Sequence, residues 1–289
     1  MAQQHQHDHH HDPDFDAPEA AERTEREGEV LAGLTGAGVD ALVRQADALD
    51  VDVRHVLDVG SGPGVATGLL AEGFPEAHVE AVDGSAAMVE RARSRMASLG
   101  LASRVEVRQV VLPEGLVPAG DVDAVWASMV LHHLGDELDG LRRLRALLRP
   151  GGLLALVERS RLVRVFPVGD EELGRPGLWD RVDAAWDAWF DEMRARLPGA
   201  TESSGYPEML AAAGFEVVAA EELSVSMTSP LDGPAAGFAH DQVAGLPHRL
   251  EGYADPDDLA AFARLAGSWP DDVVVDAARH LFVARAVAG

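Results

Sequence analysis

Three alternate glycines, Gly60, Gly62 and Gly64, end the apolar run Val56-Leu57-Asp58-Val59, and a carboxylate, Asp83, closes a second run, Val79-Glu80-Ala81-Val82. An apolar segment that breaks into glycines and then into a helical pattern reads as a buried strand, a tight turn and a helix N-terminus. There a ligand can meet bare main chain. Asp83, delivered to the same crevice by the next strand, is placed to accept hydrogen bonds from ribose hydroxyls. The pair predicts an adenosine-type cofactor. A dinucleotide turn wants a small third residue in Gly-x-Gly-x-x-Gly/Ala, yet Val65 stands three after Gly62 and Thr67 three after Gly64. Gly-x-x-x-x-Gly-Lys-Ser/Thr is absent as well, which excludes a P-loop. A turn made for close backbone approach, with no phosphate cradle, suits a cofactor without phosphate.

A second set of groups can move or orient protons. His132 and His133 follow the fourth apolar run, and Glu158 ends the fifth. An imidazole changes charge near neutral pH and can act as a general base or orient an acceptor; the competing reading is that the histidines cap a turn and pack. Glu158 can bind a substrate hydroxyl or amine, or pair with Arg159 or Arg161. His240 and His248 are weaker catalytic candidates. No metal site is expected, since Asp121 and Asp123 fall at the start of their strand, away from the crevice.

These groups need an alternating scaffold. Strands are expected over 54–59, 78–83, 104–110, 122–128 and 152–158, with helices over 64–72, 85–99 and 136–148. Such alternation implies a doubly wound α/β fold, a mainly parallel sheet with helices on both faces and ligands beyond the carboxyl ends of the strands. Residues 1–17, rich in His, form an arm that cannot bury an apolar face; it reads as a solvated tail or a weak metal binder. Residues 18–50 read as a helical segment interrupted at Gly36-Ala37-Gly38, and 51–158 as the cofactor-binding core. Residues 159–205 form a helical insertion whose helix, 178–197, carries Trp179, Trp186, Trp189 and Phe190. These aromatics serve either core packing or a lid over an apolar cavity. Residues 206–289 finish the sheet with strands beginning at Phe215 and running over 281–285. The cap insertion between them, 229–275, is further cap or a homodimer contact.

Composition sets exclusions. The chain has 289 residues, no cysteine and a net charge of -25, so disulfides, thiolate metal sites and a cysteine nucleophile are excluded and nucleic-acid binding is not expected. No apolar run is long enough to span a bilayer and no signal peptide is read, which predicts a cytoplasmic small-molecule enzyme without membrane contact.

Four stretches in order, Val-Leu-Asp-Val-Gly-Ser-Gly-Pro-Gly (56–64), Val-Asp-Gly-Ser-Ala-Ala-Met (82–88), residues 121–134 and residues 147–158, resemble the class I S-adenosylmethionine-dependent methyltransferases of small-molecule type. The resemblance implies a Rossmann-like, seven-stranded, mainly parallel sheet with a helical cap. It also implies S-adenosylmethionine as cofactor and transfer of its methyl group to a small apolar or aromatic acceptor. Gly60 and Gly62 would let the main chain approach the cofactor, Asp83 hold the ribose, Met88 pack near the adenine and Asp58 orient the methionine amino group. Ser61, Gly84, Val111 and Ser128 complete the implied contacts. The sequence departs from the family after its third strand, where Val110 and Val111 replace the usual Gly-Asp, leaving the adenine to apolar contact, main chain and Gln109. A nicotinamide-dependent oxidoreductase and a non-catalytic S-adenosylmethionine-binding protein are the alternatives.

Overall fold

Along the strand Val122–Ser128 (β4), Ala124 and Trp126 enter one apolar core while Val125 and Ala127 enter another. The same alternation recurs at Leu153 and Ala155 against Leu154 and Leu156 in Leu148–Arg159 (β5). Successive side chains of a strand point to opposite faces, so a sheet buried on both sides builds two cores from one apolar run. The computed structural model describes residues 18–117, 120–201 and 205–287; the arm expected over 1–17 lies outside the described residues.

β4 and β5 lie in a parallel set with His55–Val59 (β1), His78–Asp83 (β2) and Val105–Gln109 (β3), in the order β3-β2-β1-β4-β5. The order reverses between β1 and β4, which opens a crevice beyond their carboxyl ends. Val273–Ala286 (β8) adds antiparallel to β5, and Phe215–Thr228 (β7) pairs with β8 on its other side. The expected doubly wound sheet is present, with one more strand than the seven anticipated. Arg164–Pro167 (β6) resumes the line of β5 and pairs with Val273–Asp276, because β8 is long enough to offer edge beyond the reach of β5. β7 and β8 also run farther than expected. Their distal halves alternate polar and apolar residues, as strands with one solvated face do, and present no continuous apolar run.

Helices Ala32–Ala48 (α2), Val65–Gly73 (α3) and Ala86–Ser98 (α4) cover one face; Glu137–Leu147 (α5) and Tyr206–Ala212 (α7) cover the other. The break expected at Gly36-Ala37-Gly38 is absent. Pro18–Val30 (α1) and α2 part at Leu31 instead, and α2 runs through the glycines. A Cβ on Gly38 would lie 2.9 Å from the Trp126 ring and 3.1 Å from Leu223, so this glycine serves close helix-to-sheet packing. Burial of Trp126, which has no exposed surface, contributes about 2–3 kcal/mol. The helix before β5 ends at Leu147, and pairing with β4 shifts register between Val122 and Ala124, with Gly151 at φ +81° in the facing bulge.

The cap consists of Leu178–Ala195 (α6), Gly233–Arg249 (α8) and Pro256–Gly267 (α9). The α6 aromatics differ in burial, and the core-packing reading holds for Trp179. Trp179 is core, buried with its ring 5.3 Å from Phe262 and its indole N–H donating to the Glu171 carbonyl at 2.7 Å. Trp189 and Phe190 are half-buried. Asp258, fully buried on α9, joins the cap: it accepts two hydrogen bonds from Arg181 at 2.8 Å and lies 2.7 Å from Arg175.

Candidate active site

At the end of β1 the main chain turns back on β2, with Gly60 N–H and Ser61 N–H both donating to the Val82 carbonyl at 2.8 and 3.0 Å. Gly60, Gly62 and Gly64 have φ of +68°, +53° and +82°, where side chains are disfavoured. The three are not equivalent. A Cβ on Gly60 would meet Val130 at 2.6 Å and one on Gly64 would meet Ala92 at 3.0 Å, whereas one on Gly62 would find only Thr24 of α1, at 3.9 Å. Gly60 and Gly64 therefore serve internal packing, and Gly62 carries the open approach.

Asp83 sits against this turn. Its carboxylate accepts from Gly62 N–H at 2.8 Å and Ser85 N–H at 2.9 Å. A carboxylate offers about four lone-pair positions, so it can take ribose hydroxyls and keep both main-chain bonds. Beneath the turn Asp58 is 1% exposed and accepts from the Thr67 hydroxyl at 2.6 Å. Burial pushes its pKa up to about 7; Thr67 opposes the shift and the Asp83 charge adds to it. Ser61 Oγ is buried with no hydrogen-bond partner among the described residues, so the turn has a polar atom that a cofactor group would satisfy. Nearby, Gly84 is half-buried and its carbonyl accepts from the Gln109 side chain at 2.9 Å, tying β3 to β2. Met88 is buried under the first turn of α4, while Val111 is exposed at the crevice side of β3.

A second cluster forms where β4 and β5 end. Glu158 is 1% exposed and both its oxygens are engaged: one accepts from Leu131 N–H at 2.9 Å and the other lies 2.6 Å from His132 Nδ1. It pairs with neither Arg159 nor Arg161, which bond Asp187 and Asp276. Its geometry is that of a positioning group for His132. The His132 carbonyl accepts from buried Arg194, itself paired with Glu137 at 2.8 Å. The His133 ring lies 4.2 Å from that of His132, tilted by 44°, and keeps an exposed face. Enclosure by surrounding protein, then the charges of His132 and Arg194, hold its pKa well below the ordinary imidazole value, so it stays neutral from pH 5 to 8. Ser128 is half-buried at the end of β4 and precedes Met129, held at φ +55° with its N–H on the Val157 carbonyl. That strained residue throws Val130 against Gly60 and starts the turn bearing both histidines. Sequence periodicity carries no sign of it.

His240 instead packs against Trp269, 5.2 Å away and tilted to it, and His248 is exposed near the end of α8. Asp123 accepts from Arg54 and His55 N–H groups at 2.8 Å and pairs with Arg149, a structural task at the amino end of β4. Among the described residues no group of three or more His, Asp or Glu is disposed to hold a metal.

Over the crevice α1 lies against the glycine turn, with Glu25 paired to Arg91 and Arg95 of α4 and Glu27 to Arg279 of β8. Below α6, the Phe190 ring stands 5.5 Å from His132. The arrangement is a doubly wound domain whose switch point presents bare main chain, a ribose-competent carboxylate and a carboxylate-held histidine.

Residues 56–152 match the profile of the methyltransferase domain family. The chain is 40% identical over 130 residues to a trans-aconitate 2-methyltransferase of Azoarcus sp. strain BH72, covering 44% of this chain and 47% of that protein. It is 33% identical over 164 residues to one of Methylobacterium radiotolerans, covering 57% and 58%. The chain thus spans about half the length of these curated relatives. In structure it is similar to the YcgJ protein of Bacillus subtilis, with a TM-score of 0.52 at 17% identity over 88% of this chain and 99% of the other. Residues 56–152 are thus similar to a methyltransferase domain, in line with the resemblance to class I S-adenosylmethionine-dependent enzymes carried by the sequence motifs. The nicotinamide-dependent reading finds no support in these matches.

Proposed function

We propose that this chain transfers a methyl group from S-adenosylmethionine to a small molecule bound between the cofactor and α6. The observation that carries the reading is Asp83, set against Gly62 and Ser85 N–H beside a turn with no phosphate cradle. Gly62 would admit the methionine portion, Ser61 Oγ would gain its missing partner, Asp58 beneath the turn would face the amino group, and exposed Val111 would flank the adenine. The cofactor supplies an electrophilic methyl on a sulfonium. What remains for the protein is alignment, close approach and exclusion of water.

The acceptor side supports a body with apolar or aromatic surface, because Phe190, Trp189 and Tyr206 are half-buried around the His132 turn. His132, held at Nδ1 by Glu158, would orient the acceptor or take a proton where one must leave; neutral His133 would line the same space. The names of the two relatives make trans-aconitate the first acceptor to assay.

Calorimetry of the full chain with S-adenosylmethionine and with NAD, followed by mass spectrometry of a reaction with trans-aconitate, tests the reading. Expected are binding of S-adenosylmethionine alone and a product heavier by one methylene. Binding of NAD in its place would refute it, and cofactor binding without transfer to any acceptor would favour the non-catalytic reading.

A further inference from the structure

The chain has no lysine, so all its fixed positive charge is arginine, set against a net charge of -25. Two of these arginines, Arg159 and Arg249, sit on one indole, Trp186, near the His132 cluster, and two more stand beside them. The Arg159 guanidinium lies 5.3 Å from the Trp186 centroid and 5.4 Å from Phe190. Arg249, at the end of α8, lies 5.2 Å from the same Trp186 ring and 5.8 Å from Trp189. Arg279 stands opposite Arg159 in the β5–β8 register. Arg23 of α1 is close enough for its charge to act on Arg249.

The counter-charges fall short. Asp187 takes Arg159 at 3.0 Å and Glu27 takes Arg279 at 3.3 Å. Among the described residues Arg23 and Arg249 have no hydrogen bond or ion pair, and both are solvent-exposed. Enclosure by the surrounding protein, then the nearby Arg23 charge, hold the Arg249 pKa below its ordinary value, and the Glu27 charge only partly opposes them. Trp186, itself only 9% exposed, has an indole N–H with no acceptor among the described residues. A guanidinium stacked on an aromatic face keeps its N–H edge available, and that edge fits a carboxylate with two parallel hydrogen bonds. Like charges only partly neutralised, beside an unpaired donor, are stabilised by an anion.

We propose that Arg249, with Arg23 and Arg159, anchors a carboxylate of the acceptor, which is therefore a small planar polycarboxylate whose body rests on Trp189 and Phe190. The inference rests on the methyltransferase reading and deepens it. A second carboxylate, directed past Phe190 toward His132, is the nucleophile. Its oxygen lone pair forms the new O–C bond as the C–S bond breaks, and that electron pair returns to sulfur. The products are a methyl ester and S-adenosylhomocysteine; no proton moves, so no base is required and His132 orients the acceptor.

The test is calorimetry of the full chain saturated with S-adenosylhomocysteine, titrated with trans-aconitate and with its uncharged trimethyl ester. The acid is expected to bind and the ester not. Arg249→Ala should weaken the acid by at least about 10-fold with S-adenosylhomocysteine affinity unchanged, and Arg249→Lys should recover part of the loss because charge returns without the planar fork. Arg264→Ala, on the exposed side of α9, should match the parent. Failure of the acid to bind while S-adenosylhomocysteine binds, or an Arg249→Ala protein that binds it as the parent does, overturns the anchor alone. Failure of S-adenosylhomocysteine itself to bind overturns the methyltransferase reading and the anchor together.

Discussion

In the proposed reading the glycine turn and the cap reach their ligands by opposite means. At the turn, recognition is built from main chain fixed by its own hydrogen bonds: Gly60 and Ser61 N–H on the Val82 carbonyl, Gly62 and Ser85 N–H on Asp83. In the cap it is built from long side chains brought together from distant segments, as with Arg249 of α8 and Arg159 of β5 on one α6 indole. A main-chain site is pre-organised by the sheet and tolerates little change. A side-chain site can be re-specified by a few substitutions, which is why one core can serve many acceptors.

Asp83→Ala should break the first half of that contrast most severely. Its loss leaves Gly62 and Ser85 N–H without their acceptor and removes the groups proposed for the ribose. Cofactor affinity is expected to fall about 100-fold or more, about 3 kcal/mol, with circular dichroism unchanged. Calorimetry reads this directly. An affinity within a few-fold of the parent would mean that the crevice beyond β1 and β2 is not where the cofactor lies.

The same contrast explains what could be read in advance. Strands β1, β2 and β4 and the Asp83 placement were legible because a strand buried on both faces is a continuous apolar run and a glycine turn has a fixed spacing. The distal parts of β7 and β8 were not, because half-solvated strands alternate and look like loop. Gly36-Ala37-Gly38 misled for a related reason: glycine signals flexibility locally, but Gly38 answers to Trp126, eighty-eight residues away in sequence and in contact only after folding. His132, His133 and Glu158 are recognisable as candidates by type and position, yet their division of labour is set by the fold. That Glu158 is consumed by Leu131 and His132 depends on the Met129 turn, which no periodicity encodes. The gathering of arginines near Trp186 was invisible, since its members are scattered from Arg23 to Arg279.

Asp58 sharpens the comparison through pH. Its folded pKa of about 7 lies above the unfolded value of 3.8. Below pH 3.8 the group is protonated in both states; as pH rises from there through 7 the unfolded chain ionises first, so this contribution to stability is lost across that window and stays lost above it. The loss is on the order of a few kcal/mol at most. Asp58→Asn should flatten that part of the stability–pH curve of the cofactor-free protein in urea titrations at pH 5, 6, 7 and 8. If an ammonium group of the cofactor meets Asp58, binding favours the ionised form. Affinity should then rise with pH through about 7 and proton release should accompany binding below it. A parent and variant with parallel curves would remove Asp58 from the account.

In the cap the comparable test is Asp258→Ala, which leaves Arg175 and Arg181 without their shared carboxylate. Asp258 is fully buried, but the two arginine side chains are 27% and 44% exposed and recover water on its loss. The expected cost is about 1–3 kcal/mol, below that of breaking a wholly buried pair. It should appear as faster hydrogen exchange at the start of α6 and in α9, with the core strands and cofactor affinity unaffected. Spread of the effect into β1 and β2 would show that cap and core are one cooperative unit.

α1 belongs to both halves, and there the contrast is weakest. Its Thr24 faces Gly62 at the turn, Glu25 bonds Arg91 and Arg95 of α4, Glu27 bonds Arg279, and Arg26 reaches Asp241 of α8 at 2.8 Å. These pairs are partly exposed, so each contributes about 0.5–1 kcal/mol and is screened by salt. Glu25→Ala should therefore speed cofactor release only about two- to five-fold in stopped-flow displacement, and added salt should bring the parent toward the variant. An α1 held by electrostatics loosens over cofactor and acceptor at the same moment, because its ion pairs span core and cap. If Glu25→Ala left release unchanged at low and high salt alike, the helix would be held by its apolar packing, Gly28 on Val65, and would act as a fixed wall of the cofactor site.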